Sequence, residues 1–332
     1  GQQGETSMKT RQLGTSGLSA PVIGLGCMGM TPIYSPPSEA ENLAALDKAI
    51  ELGANFIDTS DAYADGKNEE FLGRALAGKR DKVILATKFG NIRHADGRRE
   101  VNGKPDYVGS ALDACLKRLK TDFVDVFYLH RVDPDTPIED TVGAMARLVD
   151  AGKVRALGLS EAGAETLRRA HATHPIATLQ TEYSLWSRFP EDHLLPACRA
   201  LNITFIAYAP LGRGFLTGRF NKVDDLGEND RRRDMPRYKP ENFAHNLALI
   251  DTLKEIATAK GTTPAQVALA WLVAQGVMAI PGGHKPEHVA ENAAAAALSL
   301  SSEESEKLLN AMPDGAAQGT RYPEGQLKAL GI

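Results

Sequence analysis

The sequence predicts an α/β protein built as a closed (β/α)8 TIM barrel, on three observations. Short β-branched or apolar runs recur eight times along the chain. Most are apolar without alternation, which suits strands buried on both faces of a parallel sheet. Helical patterns separate them, and strand–helix alternation at roughly 30 residues marks βαβ units. A length of 332 residues accommodates one barrel of about 250 residues with insertions. An open doubly wound sheet is the alternative arrangement of the same units. The expected organisation is a single barrel domain over residues 8–332. Residues 1–7, GQQGETS, lack a signal peptide's apolar core and read as an unstructured start or a cloning remnant.

In chain order, TRQLGTSGLSA (10–20) comes first and reads as an N-terminal β-hairpin placed to plug the N-terminal mouth of the barrel. The eight strands follow as VIGLG (22–26), NFID (55–58), VILAT (83–87), DVFYLH (125–130), VRALGLS (154–160), ATLQ (177–180), ITFIAY (203–208) and VMAIP (277–281). Between the first two, residues 38–52 predict a helix with Ser38 as N-cap, stopped before Gly53. Asp106 is placed to cap the helix carrying ALDACLKRL. Residues from Asp140 carry a further helix, TVGAMARLVDAGK, that ends at Gly152. The long gap before the last strand holds RFNKVDDLGENDRRRDMPRYKPEN, a polar stretch with the character of a surface insertion. Two helical runs follow it, over 243–259 and from Pro264, a residue tolerated in a first turn. The last twenty residues, with Pro313, Gly315, Gly319 and Pro323, read as a C-terminal extended tail.

Composition narrows the classes. A formal net charge of −4, with 42% hydrophobic and 24% charged residues, is that of an ordinary globular chain. It offers no long-range attraction to nucleic acid or an anionic membrane. No apolar run approaches the roughly 20 residues of a membrane span. Three scattered cysteines (Cys27, Cys115, Cys198) make neither a disulfide framework nor a metal-ligand set, and point to a reducing, cytoplasmic setting.

Gly24, Gly26 and Gly29 spell G-x-G-x-x-G after the first strand. A dinucleotide-binding Rossmann unit would need a helix to start at once, and the following MTPIYSPP blocks one with Pro32, Pro36 and Pro37. The acidic residue is misplaced too, since Asp58 lies about thirty residues on, just before a loop. The glycines are better read as letting a backbone loop approach a ligand.

In a barrel, chemistry gathers where strands end at the C-terminal face. The second strand ends FIDTSDAY, placing Asp58 at the rim and Tyr63 in the loop beyond. The third ends ILATKFG with Lys88, and the fourth VDVFYLHR with His130. Each alone has a bland explanation: a cap, a loop aromatic, a snorkelling lysine, a satisfied core histidine. Four on adjacent strands make a constellation. One histidine with a lysine and a tyrosine is no metal triad.

With these residues in view, the chain resembles the aldo-keto reductase superfamily over nearly its whole length. The motifs carrying the resemblance are FIDTSDAY, TKFG, DVFYLHR, GLSE, TEYSLW, APLGRGFLTG and IPGGHKPEHVAEN. The nearest likeness is to bacterial and plant-type reductases of small carbonyl compounds. The resemblance implies Tyr63 as general acid, Asp58 and Lys88 as its supporters, and His130 as the group orienting the carbonyl. The chemistry is coherent. A tyrosine with a pKa near ~10 is a reluctant donor, and Lys88, kept charged by Asp58, is expected to lower that value. A neutral His130 can donate to the carbonyl oxygen.

The resemblance further implies NADP bound extended across the barrel mouth, with NADPH preferred over NADH. Ser160 and Gln180 would hold the carboxamide, Tyr208 would stack on the nicotinamide, and Gly26 and Met28 would lie beside it. The loop of Pro210, Leu211, Gly212 and Arg213 would meet the pyrophosphate. Gly282, His284, Lys285, His288 and Asn292 would meet the adenosine end. Where the family often has asparagine, this chain has Glu161, which accepts but cannot donate; Gly283 likewise replaces a common hydroxyl residue. An apolar substrate wall of Met30, Tyr34, Trp186 and Phe189 is expected for a small carbonyl compound. The Arg231, Arg232, Arg233 run beside acidic residues reads as a solvated mixed-charge loop. Two other functions stay open at this point: a nicotinamide-binding redox-sensing regulatory subunit, and a Schiff-base aldolase built on Lys88.

Overall fold

The computed structural model describes residues 8–30, 38–217 and 240–311. Thr10–Gln12 (β1) and Ser19–Pro21 (β2) pair antiparallel as the expected hairpin. The barrel begins with Leu25–Gly26 (β3), Phe56–Asp58 (β4) and Ile84–Phe89 (β5). Asn91–Arg93 (β6) and Arg99–Val101 (β7) form a second hairpin beyond β5. Val124–Leu129 (β8), Val154–Ser160 (β9), Thr178–Glu182 (β10), Thr204–Tyr208 (β11) and Met278–Ala279 (β12) complete the sheet. Eight strands run parallel in the order β3-β4-β5-β8-β9-β10-β11-β12. Bridges Ile23–Ala279 and Gly26–Gly282 join the first strand to the last. That closure gives the expected barrel and excludes the open doubly wound sheet.

Helices fill the crossovers: Glu39–Glu51 (α1), Lys67–Ala75 (α2), Pro105–Leu119 (α3), Ile138–Asp150 (α4), Ala164–Thr173 (α5), Leu194–Leu201 (α6), Pro240–Lys260 (α7), Pro264–Ala274 (α8), Pro286–Ala294 (α9) and Ser302–Ala311 (α10). Ser38 caps α1 as expected, its Oγ accepting the Glu41 N–H at 3.1 Å. Thr263 and Gln266 form a reciprocal capping box on α8, ahead of Pro264. Asp106 does not cap α3. Pro105 occupies the first turn and Lys104 the cap position, because the fixed φ of proline suits N1 and starts the helix earlier. Asp106 remains in that turn, where its charge favours the helix N-terminus.

The side-chain period of two divides the apolar residues into two layers. Leu85, Phe89, Phe127, Leu157 and Leu179 face outward into the layer shared with the helices. Phe56, Ala86, Val126, Tyr128, Ala156 and Ile206 fill the barrel interior. Leu13 and Ala20 of the N-terminal hairpin belong to that interior cluster and are almost wholly buried. The hairpin is thus the plug the sequence predicts.

Gly24 and Gly26 serve the barrel closure. A Cβ on either would lie 2.9 Å from a carbonyl oxygen of a neighbouring strand, Phe56 or Ile280. Their small size is demanded by strand packing, whereas the sequence reading assigned it to a ligand. All three cysteines are buried free thiols. Among the described residues no helix is long and apolar enough to cross a membrane. Residues 1–7, the polar stretch over 219–239 with Arg231–Arg233, Tyr34, and the tail from residue 312 lie outside the described residues.

Candidate active site

The rim residues follow from strand parity. Phe56, Ala86, Tyr128, Gly158, Thr178 and Ile206 face the barrel interior. Two residues further along each strand stand Asp58, Lys88, His130, Ser160, Gln180 and Tyr208. Each is the next inward position toward the C-terminal mouth, so the interior changes from apolar to polar in one layer. Gly158 is needed beneath this layer, since a Cβ there would lie 2.6 Å from the Tyr128 ring.

Asp58, Tyr63, Lys88 and His130 come together. Lys88 Nζ donates to Asp58 Oδ2 at 2.6 Å and to the Thr59 carbonyl at 2.9 Å, and lies 3.4 Å from the Tyr63 hydroxyl. Gln180 Nε2 donates to the other Asp58 oxygen at 3.0 Å. Both charged side chains are nearly sealed from solvent, at 1% and 3% exposure. Such a pair persists only because its hydrogen-bonding capacity is met. The Tyr63 and His130 rings meet edge to face with centroids 6.0 Å apart. His130 Nδ1 lies 3.0 Å from Ser60 Oγ.

The loop carrying Tyr63 is held from below. Thr59 Oγ1 donates to Asn68 Oδ1 at 2.6 Å, and Asn68 Nδ2 to the Cys27 carbonyl at 2.9 Å. The fully buried Glu69 accepts from Arg118 Nε at 2.7 Å and from Thr87 Oγ1 at 2.6 Å. After Tyr63 the backbone turns through Ala64, Asp65 and Gly66, all at positive φ, before α2 begins.

Electrostatics distinguish the members. Burial works against the charge on Lys88, but the adjoining Asp58 carboxylate and Tyr63 hydroxyl outweigh it and hold the ammonium pKa above its ordinary value. Burial holds His130 well below its ordinary range, helped by the Arg131 and Lys88 charges, so the ring is neutral at physiological pH. For Tyr63, burial raises the phenol pKa more than Lys88 lowers it. The expectation of a net lowering is therefore corrected: desolvation of the phenolate exceeds the pull of an ammonium 3.4 Å away that is already shared with Asp58.

The remaining predicted residues surround this centre. Ser160 pairs in register with Gln180, and Glu182 with Tyr208. Glu161 is buried at φ +54°, a left-handed position, and its Oε1 accepts the Glu182 N–H at 3.3 Å. The loop beyond β11 places Ala209, Gly212, Arg213 and Gly214 at positive φ, with Arg213 Nη2 3.7 Å from Glu182 Oε1. Gly26 bridges Gly282 across the closure, and Asn292 Nδ2 donates to the Gly282 carbonyl at 3.4 Å. Lys285 is the N-cap of α9, flanked by the part-exposed His284 and His288. Met28 and Met30 form a single helical turn after β3. Met30 is buried, and its carbonyl accepts from Asn42. Trp186 is also buried and packs against Gly212, where a Cβ would lie 2.7 Å from its ring, while Phe189 is partly exposed.

Three residues escaped the sequence reading. Ser60 reaches His130. Arg131 donates to the His130 carbonyl at 2.8 Å and lies 3.5 Å from Ser160 Oγ. Glu182 binds the Ser187 hydroxyl at 3.0 Å and faces Arg213. All three stand inside quoted motifs, and for Ser60 the signal was parity, since it continues the inward series Phe56, Asp58 by one further step of two.

Comparison with known proteins gives the family. The aldo-keto reductase yakc (NADP+) of Schizosaccharomyces pombe is 45% identical over 327 residues, covering 96% of each chain. The solved glycerol dehydrogenase of Gluconobacter oxydans superposes with a TM-score of 0.86 at 27% identity, over 94% of this chain and 97% of that one. An aldo-keto reductase of Klebsiella pneumoniae, solved in complex with NADPH, gives 0.72 at 32% identity over 95% and 99%. The model of the aldo/keto reductase family matches residues 22–311, and the chain belongs to that family.

Proposed function

We propose that this protein reduces aldehydes or ketones to alcohols with NADPH, and that Tyr63 delivers the proton to the carbonyl oxygen. The observation that carries the reading is Lys88 Nζ, bonded to Asp58 at 2.6 Å and 3.4 Å from the Tyr63 hydroxyl, beside a neutral His130. NADPH supplies hydride to the carbonyl carbon when bound. The residues fit that group: Ser160 and the Gln180 carbonyl oxygen supply polar contacts for a carboxamide, and Tyr208 a flat face for the ring. Gly26 and Met28 adjoin that end, and the Pro210, Leu211, Gly212, Arg213 loop offers backbone and a guanidinium to phosphates. Lys285, His284 and His288 at the N-terminus of α9, with Gly282 and Asn292, suit a 2′-phosphate and adenine.

Tyr63 holds its proton at neutral pH until charge develops on the carbonyl oxygen. The Lys88 ammonium then stabilises the phenolate left behind, where dry surroundings make it most effective. His130 orients the oxygen through a donated hydrogen bond. The raised Lys88 pKa argues against the aldolase reading, because a Schiff base needs the free amine. Met30, Trp186 and Phe189 are proposed to bound the substrate.

The test is NADPH and NADH oxidation with a panel of carbonyl compounds, for wild type and Tyr63→Phe. Loss of most of kcat with cofactor binding retained is the expected result. A Tyr63→Phe protein as active as wild type overturns the proton-donor role.

A further inference from the structure

We propose that Glu69 is a positioning residue for carbonyl reduction: buried beneath the site, it ties the strand that carries Lys88 to the turn that carries Tyr63. The inference rests on the reductase reading above and adds what fixes the distance between its proton donor and its ammonium. Glu69 stands in the first turn of α2 and is wholly buried. Its Oε2 accepts from Thr87 Oγ1 at 2.6 Å, and its Oε1 from Arg118 Nε at 2.7 Å. Thr87 immediately precedes Lys88 on β5 and, by strand parity, points away from the barrel interior. The first bond therefore pins the strand at the residue next to the ammonium.

The second bond acts through the arginine stem. Arg118, in the last turn of α3, packs against Gly66, where a Cβ would lie 2.8 Å from its Cδ and 2.9 Å from its Nε. Gly66 closes the turn Tyr63–Gly66, in which Ala64, Asp65 and Gly66 all hold positive φ. Left-handed backbone at residues with side chains persists only where the surroundings over-determine it. Before the turn, the chain is tied along β5 by Thr59 N–H to the Ala86 carbonyl at 2.9 Å and Asp61 N–H to the Lys88 carbonyl at 3.2 Å. After it, α2 is pressed onto α3, since a Cβ on Gly73 would run into the Arg118 carbonyl. The Tyr63 turn thus spans two fixed points, and Glu69 joins both of them.

The charge chemistry favours a role in position. Replacing both partners of a buried ion pair by apolar side chains is often neutral or stabilising. What the carboxylate supplies, and an apolar pair does not, is two short bonds in fixed directions, to β5 and to α3. Loosening either lets the Tyr63 hydroxyl drift from its 3.4 Å contact with Lys88. A misplacement of about 1 Å at a reacting centre costs on the order of a hundredfold in rate.

The experiment compares wild type, Thr87→Val, Thr87→Ser and the double variant Glu69→Met with Arg118→Met, each with NADP bound. It reads kcat and KM for a carbonyl compound, the urea midpoint, and the Cζ resonance of Tyr63 in protein with 13C-labelled tyrosine, assigned by its loss in Tyr63→Phe. The double variant keeps or exceeds the wild-type midpoint. It loses kcat about a hundredfold at unchanged KM, with the Tyr63 resonance displaced. Thr87→Val removes one hydroxyl, leaves the ion pair, and loses kcat about tenfold with the same displacement, whereas Thr87→Ser keeps both. Wild-type kcat in Thr87→Val or in the folded double variant overturns the proposal, and so does a lowered kcat with the resonance undisplaced. If the double variant does not fold, Thr87→Val decides alone. A resonance displaced in both variants, in a protein whose wild type reduces no carbonyl, sinks the reductase reading and leaves the Glu69 tie standing. Loss of reduction in Tyr63→Phe, with Thr87→Val unchanged in kcat and resonance, does the reverse.

Discussion

Each end of the barrel carries an aspartate bound to a cation from a neighbouring element, and the two pairs are put to different ends. At the N-terminal end, Asp125 accepts from Arg80 at 2.9 Å and from the Leu85 N–H at 2.8 Å, with Arg155 at 3.6 Å. The two guanidiniums lie 4.2 and 4.7 Å from the Phe123 ring centre. The remaining hydrogen bonds of Arg80 go to Thr121, Val83 and Phe123, so the cluster locks strand starts together. At the C-terminal end, Asp58 is satisfied by Lys88 and Gln180, yet Lys88 keeps a contact for Tyr63. The cation type fits the difference. A planar guanidinium ties several fixed acceptors at once, whereas a compact ammonium concentrates charge on one neighbouring oxygen. An ion pair becomes chemically useful when one partner retains a contact that the fold does not consume.

Removing the cation at each end separates the two cases. Lys88→Met strands Asp58 in a sealed site, and should lower stability by about 3–5 kcal/mol. It should also cut kcat by roughly a hundred- to ten-thousand-fold in the protein that still folds. Urea unfolding and steady-state kinetics read the two losses separately. Unchanged kcat would show that the ammonium does no more than hold the loop. Leu13→Ala empties part of the plug and should cost about 2–4 kcal/mol, with kcat and cofactor affinity unaltered, since the plug lies at the far end from Tyr63. Arg80→Met should cost less, about 1–2 kcal/mol, because Asp125 retains Leu85 and the half-exposed Arg155. A drop in kcat for Arg80→Met would break the division between structural and chemical ends.

What could be read in advance follows the same division. The eight strands were legible because burial on both faces leaves nearly continuous apolar runs. The rim residues were legible because a polar side chain just past such a run has a location once the fold is named. The Arg80–Asp125 cluster was not, since its members are 45 residues apart and neither is unusual where it stands. The hairpin over 91–101 was missed although Asp96–Gly97 is a turn signal, because its flanking residues are charged. The Asp106 cap was misplaced by one of proline's two helix roles. Ser60 was overlooked because a serine in a loop is ordinary, although its parity with Phe56 and Asp58 aims it inward, to within 3.0 Å of His130 Nδ1.

Glu161 gives the smallest effect and the sharpest reading of the C-terminal end, because there local backbone preference and the site disagree. It holds φ +54° while buried, a conformation in which asparagine is several-fold enriched over glutamate. Its Oε1 receives the Glu182 N–H at 3.3 Å. Glu161→Asn should therefore relax the backbone and raise stability by about 0.5–1 kcal/mol, read as a shift of the urea midpoint at unchanged slope. The same substitution supplies an amide donor beside Ser160, so the dissociation constant for NADPH should fall several-fold, by about 1 kcal/mol. Loss of stability with tighter NADPH would mean that the carboxylate is retained to hold β9 against β10. Gain of stability with weaker NADPH would mean that its charge acts on the cofactor, and the strained backbone at this end is then maintained for binding, in contrast to the relaxed, fully paired cluster around Asp125.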